Sequence, residues 1–331
     1  MAPTIPDQRP LLRILYRGPL ASCNYSCWYC PFAKQNDTAA DHRADELALA
    51  RFVAWAGGQA KEWRLGIFFT PWGEALHLRR YQYAFQLLTR MSHVERVAIQ
   101  TNLSCRWEWL DNCIADKVAL WATYHPQEVE LKTFIRQVHY ARAAGARLSV
   151  GAVGLRENQQ AIETLRTSLP DEIYVWINAY KRVSDYYTLD LQAAYTAIDP
   201  LFPINMSRHP SLGQYCHAGE HVISVDGHGT MRRCHFIDQP IGNIYEMNWA
   251  DALKPRNCTN ETCGCHIGYV HMPALGLIDK FGDGILERIL PDWPPSDSHQ
   301  QRLTGTHSDP RVELHRRRRH AIKLNVLNHS R

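Results

Sequence analysis

Cys23, Cys27 and Cys30 stand in the run Cys23-Asn24-Tyr25-Ser26-Cys27-Trp28-Tyr29-Cys30, just after an apolar, strand-like stretch from Leu11 to Tyr16. Three thiolates at that spacing can bind three irons of a cubane [4Fe-4S] cluster, leaving one iron without a local protein ligand and open to a substrate. The same residues can instead hold a structural zinc together with a fourth ligand from elsewhere, although zinc sites usually pair their cysteines as Cys-x2-Cys. A second concentration of thiols begins at Cys216 and runs through Gly229 and Cys234, then past Ile241-Gly242-Asn243-Ile244 to Cys258, Cys263 and Cys265. Between the first two lies a hairpin pattern, His221 to Arg233, with Asp226-Gly227-His228-Gly229 as its turn, which brings two thiolates together at the open end of the strands. Five cysteines are then available for four ligand positions, and the spacing does not choose among Cys258, Cys263 and Cys265. A four-thiolate zinc site would use the same residues.

Positioning the first triplet requires a scaffold, and the apolar periodicity supplies one. Strand-like runs occur at Leu11–Tyr16, Leu65–Thr70, Arg96–Thr101, Val118–Tyr124, Leu148–Val153 and Ile173–Ala179. Amphipathic helix patterns lie between them at Asp45–Trp55, Tyr81–Met91, Glu128–Ala144 and Asn158–Leu169, with Gly145 placed to end its helix. Alternation of this kind predicts right-handed crossovers and a parallel sheet, an α/β fold whose six units make a partial (β/α)6 TIM-like barrel. In such barrels chemistry sits at the C-terminal strand ends, and the polar residues obey that rule: Gly73-Glu74, Thr101-Asn102, Tyr124-His125 and Gly151–Gly154 each lie at or just past a strand's end. His125 can contact a ligand or shuttle a proton, or simply be satisfied in a turn. Cys105 can face a substrate and give up a hydrogen atom, or be a small buried hydrophobe.

After Asp190 the β/α rhythm is expected to stop, with Pro200, Pro203 and Pro210 marking the passage into a smaller C-terminal module rich in Cys, Gly and His. The expected divisions are a core over 1–195, the cysteine-rich module over 196–275, and a C-terminal extension with a basic tail over 276–331.

The triplet, with aromatic Tyr29 directly before the third cysteine, resembles the signature of the radical S-adenosylmethionine superfamily. The pattern from Cys216 to Cys265 resembles the Twitch or SPASM extension of such enzymes, which carries auxiliary iron-sulfur clusters. Together the likeness spans about residues 11 to 270. It implies a [4Fe-4S] cluster on Cys23, Cys27 and Cys30, whose open iron chelates the amino and carboxylate groups of S-adenosylmethionine. It further implies cofactor contacts from Tyr29 and Phe32, from Gly73 and Glu74 to the ammonium group, from Thr101 and Asn102, and from Gly151 beside the adenine. Trp72 departs from the pattern, which commonly has Gly there. A full SPASM segment has more cysteines than this chain, so one second [4Fe-4S] cluster is implied, held among Cys216, Cys234, Cys258, Cys263 and Cys265. The implied activity is reductive cleavage of S-adenosylmethionine to a 5′-deoxyadenosyl radical that abstracts hydrogen from a substrate, with His125 and Cys105 as candidate catalytic residues. A flavodoxin or ferredoxin-type protein would supply the electron.

A small molecule is the expected substrate. A ribosomal peptide is the alternative, disfavoured because peptide maturases commonly carry a leader-binding winged helix and only about ten residues precede the first strand. From another class altogether, the pattern also fits a non-catalytic iron-sulfur carrier or a zinc-stabilised binding protein, neither of which needs polar groups at successive strand mouths.

Composition narrows the remaining classes. At 331 residues and 45% hydrophobic content the chain can bury a large core. It has neither an apolar stretch of membrane-spanning length nor a signal-peptide pattern at its start, so a cytoplasmic protein without membrane contact is expected. Eight of the ten cysteines cluster too tightly for a disulfide scaffold, which fits reduced thiols as metal ligands. The formal charge of +4 is uneven, because Arg311–Arg331 carries six Arg and one Lys against Glu313, leaving the rest of the chain net negative. A basic tail of this length usually forms a solvated end, so a nucleic-acid partner is not expected.

Overall fold

The computed structural model describes residues 7–32 and 35–294. The basic tail lies outside the described residues. Six parallel strands follow one another in chain order across the sheet: β1 (Leu11–Arg17), β2 (Arg64–Phe69), β3 (Val94–Thr101), β4 (Val118–Tyr124), β5 (Arg147–Gly154) and β6 (Val175–Ala179). Helices α1 (Ala39–Gly58), α2 (Arg79–Arg90), α3 (Leu131–Ala143) and α4 (Gln159–Ser168) make the crossovers. This is a mixed α/β fold with the six-stranded parallel sheet of a partial barrel, as the alternation required.

Each strand is buried on both faces, which is why the sequence shows unbroken apolar runs. Successive side chains alternate between two cores. Ile14, Ile67, Val97, Leu120 and Val175 face the helices, whose buried residues recur at helical spacing, Leu49, Phe52, Val53 and Ala56 on α1 and Tyr81, Ala84, Phe85 and Leu88 on α2. Leu15, Phe68, Ala98, Trp121 and Trp176 face the other way, into the barrel.

α1 begins earlier than the apolar period suggested. Thr38 caps it, its side chain accepting from the Asp41 amide while the Asp41 carboxylate accepts from the Thr38 amide, a reciprocal box that was present in the sequence as Thr38-Ala39-Ala40-Asp41. Gly145 ends the third helix in the left-handed region at φ 84°, as expected.

Two features depart from the expected plan. The last β/α unit runs a few residues past Asp190, since β6 is followed by α5 (Leu189–Ile198) and the short α6 (Phe202–Met206), after which the alternation ends; Thr188 caps α5 by accepting from the Leu191 amide. The hairpin is present, but it does not stand apart from the barrel. Its first strand, β7 (Val222–Asp226), pairs in parallel with β1, with Arg13 opposite Val222 and Arg17 opposite Asp226. β8 (Thr230–Arg232) and β9 (Pro240–Asn243) continue antiparallel, so the whole is one nine-stranded sheet. Apolar residues on β7, Val222, Ile223 and Val225, let an edge strand be covered rather than exposed.

The barrel interior is filled by chain from beyond the hairpin. Ile267, Tyr269, Leu277, Phe281, Ile285 and Leu286 pack on the inward residues of the strands. At the end of that segment Glu287 pairs with Arg147 at 2.8 Å, and the fully buried Arg288 guanidinium lies 4.9 Å from the Trp176 ring centre and donates to Asn178 at 3.0 Å.

Candidate functional site

The loop after β1 carries the cysteine triplet, and carboxylates from distant parts of the chain brace it. Asp37 accepts from the Ser22 amide at 3.0 Å, the Ser22 hydroxyl at 2.7 Å and the Ala21 amide at 3.1 Å. Glu128 accepts from the Ser26 amide at 3.1 Å. Asn24 accepts from the Asn102 amide side chain at 3.0 Å and donates to Ser104 at 2.8 Å, which ties the loop to the end of β3. Gly73 is required by the same packing, since a Cβ there would stand 1.5 Å from the Ser22 carbonyl oxygen.

Around this loop a cavity of about 170 Å³ is lined by Cys23, Cys27, Cys30, Phe32, Gly73 and Glu74 together with residues at the ends of β3 and β4. Thr101, Asn102 and His125 are among the latter. Eight of the residues picked out along the sequence, from three different strand ends and the cysteine loop, therefore meet at one place, with Phe32 beside them.

Glu74 is the buried anion of the site. Its carboxylate accepts from the Thr101 hydroxyl at 2.8 Å, the Asn102 amide at 2.5 Å and the Leu76 amide at 3.1 Å. Burial nevertheless outweighs these donors and pushes its pKa up to about 7. Among the described residues no ion pair reaches it, and His77 is the positive group that acts against the effect of burial. His125 lies 3.4 Å from Cys27 Sγ and 2.8 Å from the Tyr29 hydroxyl, both through Nδ1, and burial lowers its pKa to about 4. Phe32 stacks on Trp72 with ring centres 6.1 Å apart, and the Arg17 guanidinium lies within 5.9 Å of both rings.

No family model matches this sequence, and no curated protein matches it by sequence. Solved structures do resemble it in fold. Native anSMEcpe with bound AdoMet and a peptide is 12% identical at a TM-score of 0.51, over 74% of this chain and 80% of that one. This chain shares that fold. Streptococcus suis SuiB bound to S-adenosylmethionine has 16% identity and a TM-score of 0.49 over 73% of this chain and 65% of its own. BtrN in complex with AdoMet and 2-DOIA has 17% identity and a TM-score of 0.35 over 74% and 83%.

The donor set at the barrel mouth fits an iron-sulfur cluster. All three thiols are free of disulfides and border one cavity. No three His, Cys, Asp or Glu side chains among the described residues converge closely enough to hold one metal ion. A cubane does not ask that of them, because its cysteines bind separate irons. Burial pushes the Cys27 thiol up to about 11, which keeps it protonated near neutral pH; binding to a metal would supply the positive charge that ionises it.

Three expected site residues do not line the cavity: Tyr29, which is buried with its hydroxyl on His125, Gly151 and Cys105. A Cβ on Gly151 would stand 2.1 Å from the Trp176 ring, so this glycine makes room for a tryptophan inside the barrel instead of an adenine. Cys105 is buried in the helix-side core with Trp107 and Trp109, and desolvation raises its thiol far above the ordinary value. That is the environment of a small hydrophobe.

The residues that sequence reasoning passed over are the braces. Asp37 and Glu128 act on the loop across 15 and 102 residues of chain, and no local pattern marks such a pairing. Gln100 and Thr123 also line the cavity. Their positions beside the chosen strand-end residues were the available signal.

The second set of thiols is carried by the chain that flanks the hairpin on both sides. Cys216 lies opposite Arg256 and Tyr215 opposite Asn257 in a two-residue antiparallel ladder, which puts Cys216 and Cys258 on one face. Cys263 lies opposite His209 in another short ladder, and its sulfur is 2.8 Å from where a Cβ on Gly268 would be. Burial raises Cys234 to about 11 and Cys263 to about 12. Among the described residues no helix is long and apolar enough to cross a membrane.

Proposed function

We propose that this protein is a radical S-adenosylmethionine enzyme. The observation that carries the reading is the convergence of Cys23, Cys27 and Cys30 with the buried Glu74 at the C-terminal mouth of a partial barrel. A fold shared with an enzyme structure that holds AdoMet supports it. When bound, the [4Fe-4S] cluster supplies the electron that reductively cleaves S-adenosylmethionine into methionine and a 5′-deoxyadenosyl radical.

The chain's own part is to bind, orient and shield. Glu74, held by Thr101 and the Asn102 amide, receives the ammonium of the methionine moiety, and the positive partner returns its pKa toward the ordinary carboxylate range. Asn102 and Thr101 fix that carboxylate in place. Phe32 and Trp72 wall the cavity on its open side and limit water. Tyr29 and Cys27 hold the His125 ring beside the cysteine loop. Cys216, Cys234, Cys258, Cys263 and Cys265 offer ligands for a second cluster of the Twitch or SPASM kind, and a flavodoxin or ferredoxin-type protein in the cytoplasm is the proposed reductant.

The substrate we propose is a small molecule. A cavity of about 720 Å³ shares Trp72 with the cysteine cavity, and that volume suits a small-molecule site. A peptide is the second reading, favoured by the peptide bound in the anSMEcpe structure. The deciding experiment uses anaerobically reconstituted protein reduced with dithionite and mixed with S-adenosylmethionine. Formation of 5′-deoxyadenosine that disappears in Cys27→Ala is expected. Absence of cleavage, with zinc retained and iron not taken up, would sink the enzyme reading in favour of a zinc-stabilised binding protein.

A further inference from the structure

We propose that Arg233 is a hydrogen-bond donor to the second cluster, its Nε and Nη2 bonding sulfur atoms of the group that the later thiols hold, and that it raises the potential at which that cluster takes up an electron. This rests on the second cluster proposed above and names the residue that tunes it.

Arg233 directly follows β8 and precedes Cys234. It is only 3% exposed, and its Nη1 donates to the carbonyl of Asn257, the residue before Cys258. That carbonyl belongs to the short ladder in which Asn257 lies opposite Tyr215 and Arg256 opposite Cys216. The guanidinium is therefore packed against the backbone that carries Cys216 and Cys258, on a residue whose own neighbour is Cys234. Gly219, at φ 95°, gives it room, since a Cβ there would lie 3.0 Å from the Cβ of Arg233.

What sets this arginine apart is that the rest of its guanidinium is unsatisfied. Nε and Nη2, which carry most of its N–H bonds, are buried and have no hydrogen-bond partner among the described residues. The neighbouring arginines are fully occupied. Arg232 donates to the Asp226 carboxylate at 2.9 Å and to the Asp238 carbonyl at 3.0 Å, while Arg256 donates to the carbonyls of Gly219, Ala252 and Lys254. Buried donors on a charged group are costly to leave unmade, so this place in the fold calls for an anionic acceptor.

The acceptor that fits is a sulfur-bearing anion. A cubane held by four thiolates has a net negative charge, gains one more on reduction, and accepts N–H bonds at its sulfurs. Donors and positive charge beside those sulfurs favour the more negative state, so the cluster is easier to reduce with Arg233 present than without it. Burial raises the Cys216 and Cys234 thiols, and on both the guanidinium acts in the opposite sense, as a cation beside metal-binding sulfurs would.

The test follows the second cluster by electron paramagnetic resonance during redox titration of the anaerobic holoprotein, its signal being the one that S-adenosylmethionine does not shift. In Arg233→Gln the ratio of oxidised to reduced second cluster at a fixed potential is expected to rise about tenfold, a midpoint lower by about 59 mV for one electron, with Arg233→Lys in between. A side chain that only supports the fold would alter iron content and leave the midpoint where it was. Wild-type protein grown with arginine labelled with nitrogen-15 in the guanidinium gives an arm that stands even if the variants do not fold: a nitrogen coupling to the second cluster is expected in the pulsed spectrum. A loaded second cluster with an unchanged midpoint and no coupling would overturn the role of Arg233 and leave the cluster reading intact. Zinc in place of iron at the later thiols, in protein that still cleaves S-adenosylmethionine, would overturn the second cluster and this role with it.

Discussion

The two groups of cysteines are built in different ways. Cys23, Cys27 and Cys30 share one short loop, pressed against Gly73 and braced by Asp37, Glu128 and Asn102, and they open onto a cavity already walled by strand ends. The second group is spread from Cys216 to Cys265 over a hairpin and two ladders of two residues each, so its members meet only because strands pair in a particular register. A ligand set on one loop is fixed largely by local spacing. One assembled across ladders depends on the pairing of the whole module.

That contrast can be tested by removing one thiol from each group. Cys27→Ala is expected to reduce 5′-deoxyadenosine formation to background, while Cys263→Ala retains S-adenosylmethionine cleavage and loses the iron of the second site only. Equal loss of cleavage and of iron in both variants, measured by chromatography and iron analysis, would show that the two groups form one cooperative unit.

Glycine substitutions sharpen the same comparison. Gly73→Ala forces a Cβ to within 1.5 Å of the Ser22 carbonyl, which is backbone and cannot swing aside, so a loss of about 3 kcal/mol or more and poor iron uptake at the first site are expected. Gly268→Ala meets the Cys263 sulfur at 2.8 Å, and its effect should stay with the second site. Urea unfolding combined with iron counts distinguishes the pair.

Glu74→Gln keeps the shape of the side chain but removes the charge offered to an ammonium. Affinity for S-adenosylmethionine, measured by calorimetry, is expected to weaken by about ten- to a hundredfold, the equivalent of about 1.5–3 kcal/mol for a hydrogen bond to a charged group. An unchanged affinity would remove Glu74 from the binding site. The smallest expected effect is that of Asp37→Ala. It frees the Ala21 and Ser22 donors on a partly exposed loop, at about 1 kcal/mol of stability by thermal unfolding, and loosens the first site without touching the second.

The framework of the barrel was legible because both faces of its strands are buried, so apolar runs mark each one, and the helices between them repeat at their own period. Val118–Tyr124 coincides with the observed β4, and the other strands shift by one or two residues at their ends. Polar residues at strand ends were legible for a related reason, since in a parallel barrel those positions border the mouth. What failed at Gly151 was the step from a glycine to its use: the sequence shows that a Cβ is absent but not which neighbour, here Trp176, takes the space. Cys105 failed similarly, because a position after β3 does not reveal whether the side chain turns toward the mouth or toward the core.

By itself, then, the sequence determined the α/β alternation, the thiol-rich loop after β1 and the series of polar strand ends, all of which follow from local spacing and periodicity. Only the tertiary structure decided that β7 would lie beside β1 and that Asp37 and Glu128 would hold the cysteine loop. Those pairings join residues far apart in the chain, and their partners are chosen by strand order and shared burial, which no short stretch of sequence encodes.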